Sequence, residues 1–178
     1  MNVTRRSAIK QFLLVSAGAV LVHSCLQDKG KASVILKNMS IDADQEKLLA
    51  ELAETIIPAT TTPGAKDISA HLFALKMLDD CYKPEDQQKF ITGMNQFEKT
   101  CKTKNERNFV DCTPQQRSDL LTDLETKKDQ NDELTFFYAT VKKLTIQAYS
   151  TSKFYLTNVR VYELVPGRFH GCVPATTA

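Results

Sequence analysis

Five cysteines, three histidines and one adjacent pair of aspartates are the groups in this 178-residue chain with chemistry to offer. Cys81, Cys101, Cys112 and Cys172 form an even set, which in an oxidising compartment reads as two disulfides. Four cysteines allow three pairings. Cys101 and Cys112 flank a short polar loop between helices, which favours that pair. Cys81 with Cys172 follows by elimination and would pin the C-terminal tail to the body. Metal ligands need closer spacing, and the sequence has no Cys-x-x-Cys and no His-Glu-x-x-His. It also lacks a Gly-x-Ser-x-Gly elbow, a phosphate-cradling glycine loop and a Cys-x-x-Cys-His haem site. His71 sits among apolar helical neighbours and is expected to be a partly buried structural residue. His170, between Phe169 and Gly171, is expected at a surface or interface. Asp79 and Asp80 are consecutive on a helix, so they do not face each other as a catalytic dyad would. They stand at the helix end that disfavours negative charge and are expected to be solvated or paired across an interface. No catalytic residue, metal ligand or cofactor-binding residue is expected.

The fifth cysteine belongs to an address. Thr4-Arg5-Arg6-Ser7-Ala8-Ile9-Lys10 reads as a twin-arginine export signal, with Arg5 and Arg6 as its signature. Phe12 to Val22 is apolar, but eleven residues are too few for a hydrocarbon core, which takes roughly 20 in a helix. The segment is therefore a processed signal. It ends at Val22-His23-Ser24-Cys25, a lipid-attachment pattern that would leave Cys25 acylated and the chain exported, periplasmic and anchored to a membrane. The expected layout is a signal over 1–24, a flexible tether over 25–40, and a single helical domain with a C-terminal strap over 41–178. The chain carries 23 Lys and Arg against 21 Asp and Glu, and three of those cations (Arg5, Arg6, Lys10) lie in the signal. The remainder is slightly acidic, with no basic stripe for nucleic acid.

Helices must position whatever the domain does. Asp42 with Gln45 forms a capping-box pattern, followed by Leu48, Leu49, Leu52, Ile56 and Ile57 at helical spacing, and Pro58 ends the run. A second helix is predicted from Ser69 to Cys81, with Leu72, Phe73, Leu75, Met77 and Leu78 as its buried side. Pro84 opens a third, which carries Phe90, Ile91, Met94, Phe97 and Cys101. Thr113-Pro114-Gln115-Gln116 starts a fourth. A fifth, from Glu133 to Tyr149, is apolar on both faces and is predicted to run through the middle of the bundle. Beyond it Tyr155, Val159, Val161, Tyr162 and Leu164 look extended-prone, then Pro166-Gly167 turns the chain. The fold class is all-α: a compact bundle of about five helices with a largely irregular, disulfide-pinned tail.

Several segments together resemble the gluconate 2-dehydrogenase subunit 3 family. They are the signal, Leu52–Pro58 running into Thr62-Pro63-Gly64-Ala65, Met77–Tyr82, Phe136-Phe137-Tyr138 with Leu144-Thr145 and Tyr149, and Val165–Phe169 with Gly171–Pro174. The sequence departs from the family pattern at Thr61, where Asp is common, and at Ser150, where a second Tyr is common. The resemblance implies a non-catalytic accessory subunit. Its partner would be a large flavin dehydrogenase subunit of the glucose-methanol-choline type, which holds FAD and oxidises a sugar or polyol. A cytochrome c subunit with haem c would accept the electrons. On that reading the partner surface is expected at Thr62, Pro63, Asp80, Tyr82, Tyr155, Arg168 and Phe169, with Tyr149 and Tyr162 turned inward. The alternative is a free-standing envelope lipoprotein with a binding or structural role. An enzyme acting through His71, His170 or a free cysteine ranks last.

Overall fold

The computed structural model describes residues 30–126, 132–160 and 163. Among these residues five α-helices run in order: α1 (Ala43–Ile56), α2 (Ala70–Cys81), α3 (Pro84–Asn105), α4 (Pro114–Thr126) and α5 (Glu133–Ser150). A short 3-10 helix, Phe109–Asp111, separates α3 from α4. Among the described residues there is no sheet, only an isolated antiparallel bridge between Lys31 and Asp42.

Local chemistry sets the helix starts. The Asp42 carboxylate accepts the Gln45 amide at 2.8 Å, and the Gln45 side chain accepts the Asp42 amide at 3.0 Å. Thr113 and Gln116 make the same reciprocal pair ahead of α4, at 3.0 and 3.3 Å. Pro84 occupies the first turn of α3, where its missing N–H costs nothing.

The predicted central helix is central. α5 packs along α3 and α2 and also touches α1, burying Leu134, Phe137, Val141, Leu144 and Ala148. Phe137 stands 5.0 Å from Phe90 and 5.5 Å from Phe97 between ring centroids, and Phe97 stands 5.0 Å from Phe109. Tilted rings at such separations add attraction beyond the area they bury. Gly93 lets α3 and α5 meet closely: a Cβ there would lie 2.0 Å from the Glu133 carbonyl oxygen.

Two expectations need correction. Tyr155 and Val159 are not extended; Tyr155–Val159 forms a π-helical turn. The Tyr155 ring lies 6.2 Å from that of Tyr149, six residues back, so the turn forms beside a local ring contact despite a β-prone sequence. The rest of the tail, including Tyr162, Arg168, Phe169, His170 and Cys172, lies outside the described residues, as do Arg5, Arg6 and Cys25 in the leader. The second correction concerns Asp79, which is neither solvated nor at an outer surface. It is 1% exposed.

Candidate functional site

The loop between α1 and α2 is organised from within. α1 ends at Ile56, ahead of Pro58, and Glu54 in its last turn reaches forward under the loop. Its carboxylate accepts the Ala59 amide at 2.8 Å and the Lys66 amide at 3.0 Å. The Ala65 amide closes the base on the Ile57 carbonyl at 2.9 Å. Gly64 is required for space: a Cβ would fall 2.5 Å from one Glu54 carboxylate oxygen and 2.6 Å from the Ala59 nitrogen. The Gly64 amide donates to Asp67 at 2.9 Å. Ala53, Ala65, Ala70 and Ala148 pack beneath as a small second core. With most of its amides satisfied internally, the loop leaves Thr60, Thr61 and Thr62 exposed.

α5 secures this loop from across the fold. The Tyr149 hydroxyl donates to the Pro63 carbonyl at 3.0 Å. The Tyr149 ring contacts Phe154 and Tyr155, with centroids at 6.5 and 6.2 Å. Thr62, Pro63 and Tyr155, three of the sequence-predicted surface residues, therefore share one neighbourhood around Tyr149. Lys66 and Arg117 brace its flank by pairing with the same Glu51 carboxylate at 2.5 and 2.8 Å. The hydrogen bond from Lys66 holds the Glu51 carboxyl below its ordinary range; burial opposes this and Arg117 assists it.

Asp80 and Tyr82 are not part of that neighbourhood. They stand at the far end of α2, whose 12 residues span about 18 Å. Asp80 is exposed and pairs with Lys76 at 3.6 Å. Tyr82 is half-buried, and burial raises its hydroxyl pKa with help from Asp86 and Cys81.

The strongest polar feature is at Asp79, one residue away. Its carboxylate accepts the backbone amides of Lys37 at 2.7 Å, Asn38 at 2.7 Å and Met39 at 3.0 Å. The Asn38 side chain returns to the Asp79 carbonyl at 2.8 Å. Burial alone would push the Asp79 carboxyl up, but the three amides and nearby Lys76 draw it below its ordinary range. Sequence reasoning missed this clasp. The available signal was a carboxylate at the wrong end of a helix dipole, which asks for specific donors.

Among the described residues, the remaining candidates do not assemble into a catalytic site. His71 is half-buried with Nδ1 lacking a hydrogen-bond partner; burial lowers its pKa, against the pull of Glu46. Cys101 and Cys112 are buried thiols whose sulfurs lie 3.5 Å apart, a contact and not a bond. Burial first, then the Cys112 contact, pushes the Cys101 thiol up to about 11. Cys81 is exposed. Among the described residues no group of three or more His, Cys, Asp or Glu could hold a metal. No described helix is long and apolar enough to cross a membrane. A polar hollow of about 420 Å³ lies between α1 and the end of α3, lined by both signs of charge, including Asp44, Lys47, Glu98 and Lys102.

Comparison with known protein families identifies the chain. Residues 43–167 fit the family described as Gluconate 2-dehydrogenase subunit 3. The match begins at the first residue of α1 and takes in all five helices and the α1–α2 loop. No curated protein and no solved structure matches the chain.

Proposed function

The chain belongs to the gluconate 2-dehydrogenase subunit 3 family, a family of non-catalytic accessory subunits, and on that premise we propose that it escorts, stabilises and tethers a large FAD-dependent sugar or polyol dehydrogenase subunit. The twin-arginine segment around Arg5 and Arg6 carries the pair across the membrane already folded. A flavoprotein loaded with FAD in the cytoplasm needs such a route. Acylation of Cys25 then moors the complex on the periplasmic side. FAD resides in the partner, and a cytochrome c subunit with haem c takes the electrons onward. The substrate is set by the partner.

The family match carries this reading, and the internally braced loop around Glu54 supports it. A loop whose shape is held by its own interior docks with little ordering cost. Thr62, Pro63 and Tyr155 form the centre of the partner surface, Asp80 and Tyr82 make a second contact, and Arg168 and Phe169 also take part in binding the partner. A tagged chain solubilised from membranes should bring down a large yellow flavoprotein. Thr62→Arg, on an exposed position, should reduce that recovery by at least about tenfold while leaving the circular dichroism unchanged. A chain that reproducibly purifies alone overturns the proposal.

The cysteines follow from the same export. In an oxidising compartment Cys101 pairs with Cys112 and Cys81 with Cys172. The first bond needs the two sulfurs to close from their 3.5 Å contact to about 2.05 Å. Intact-mass measurement of periplasmic protein should show two mass units lost per bond. The melting midpoint should drop by several degrees in reductant. Four free thiols in exported protein would refute the pairing.

A further inference from the structure

Residues 30–41 precede the family match and are built unlike the rest of the chain. This N-terminal arm is fastened at intervals. The Gly30 carbonyl accepts the Ala43 amide at 2.8 Å. Ser33 gives both its amide and its hydroxyl to the Glu46 carboxylate, each at 2.6 Å. Lys37, Asn38 and Met39 close on Asp79. Through bends at 33–34 and 37–38, exposure alternates residue by residue along the arm. Ala32, Val34 and Leu36 pack onto the core, while Lys31, Ser33, Ile35 and Lys37 face outward.

That outward edge has an unusual composition. Ile35 is 87% exposed, against 48% for Ile146 and 57% for Val159, the other exposed large apolar residues among those described. It stands between two lysines whose ammoniums enter no ion pair among the described residues. Charge separates in the same sense along the chain. Residues 25–40 carry Lys29, Lys31 and Lys37 against Asp28 alone, whereas 41–178 carry 17 basic and 20 acidic side chains. A bare isoleucine flanked by free cations suits one surface above others: an anionic bilayer. Lysine ammoniums reach the phosphates while the apolar side chain enters the acyl boundary.

We propose that the edge formed by Lys31, Ser33, Ile35 and Lys37 is a membrane-contact strip that seats the helical domain directly on an anionic lipid surface. This deepens the mooring reading above, on which it rests for its meaning in the cell. An acyl chain on Cys25 enters the bilayer six residues ahead of Lys31, a reach of at most about 21 Å. With the arm clasped by Asp79 and Glu46, the domain lies flush against the membrane and does not swing on a long leash.

The chain contains no tryptophan, so Ile35→Trp supplies a single fluorescent reporter. The mature chain, residues 25–178, carrying Ile35→Trp and Cys25→Ser is mixed with vesicles of phosphatidylglycerol and phosphatidylethanolamine, or of phosphatidylcholine alone. Emission should shift to the blue with the anionic vesicles only. Adding Lys31→Gln and Lys37→Gln should weaken partitioning by about fivefold per lysine. Ile146→Trp, on the exposed side of α5, should not respond. The proposal is overturned by an unshifted emission at position 35, by equal shifts at 35 and 146, or by indifference to the lysine changes. A shift produced by the flavoprotein partner but not by vesicles also overturns it and assigns the arm to that partner. Because Cys25→Ser removes the acylation site, this outcome is independent of the tether. Labelled-palmitate incorporation into the wild-type chain tests the tether alone.

Discussion

Gly93→Val is expected to cost the fold at least about 3 kcal/mol, a large part of the roughly 5–15 kcal/mol that holds a domain together. The added Cβ would stand 2.0 Å from the Glu133 carbonyl oxygen, 2.7 Å from its carbon and 2.7 Å from the Phe137 Cβ. Two of those atoms are backbone, so no side-chain rotation relieves the clash. α3 and α5 must separate, and that opens the stack of Phe90, Phe97 and Phe137. Gly93→Ala is the sharper variant. Helix propensity alone favours alanine by about 1 kcal/mol, so a net loss requires the collision. Urea titration followed by circular dichroism reads both variants. A midpoint equal to or above that of the wild type for Gly93→Ala would show that the helices do not approach this closely.

Asp79→Ala is expected to cost about 3 kcal/mol, with the damage confined at first to the arm. Removing the carboxylate strips three backbone amides of their acceptor. Met39 and Ile41, both buried, then lose the clasp that holds them down. Hydrogen exchange at Lys37, Asn38 and Met39 should accelerate by more than tenfold, while the α3 and α5 amides keep most of their protection. Asp79→Asn, which retains one acceptor oxygen and presents an NH₂ group to the other donors, should fall between. Unchanged exchange in Asp79→Ala would disprove the clasp. The same site has a signed pH dependence. The folded carboxyl titrates below its unfolded value, so its contribution is complete above about pH 5 and is lost as pH falls through the lowered folded value. Arm protection in the wild type should fade in acid, whereas Asp79→Asn should show no such loss over that range.

These two residues differ in how far the sequence announced them. Gly93 is a glycine within a long helical pattern, a mild signal that a neighbour comes close, but the neighbour, Glu133, is 40 residues away. Asp79 stood in a segment that resembled the family and still looked like surface charge. Its partners are 40 to 42 residues distant, in an arm whose composition suggests a loose linker. The loop at Thr60–Gly64 was singled out through resemblance. Its brace, Glu54, sat unnoticed in a helical stripe, and Tyr149 reaches Pro63 across 86 residues.

The sequence by itself determined what depends on near neighbours. Reciprocal caps at Asp42 and Thr113, prolines at Pro58 and Pro84, and apolar spacing of three and four residues act within one or two helical turns, so they are legible in order along the chain. The both-faced apolar pattern of 133–149 likewise announced the middle of the bundle, and short motifs announced the family. Tertiary structure alone decided which carboxylates are braces and which are surface. A carboxylate's role depends on the donors brought to it: the arm brings three amides to Asp79 from 40 residues away or more, and the α1–α2 loop brings two to Glu54 through a turn that periodicity does not encode.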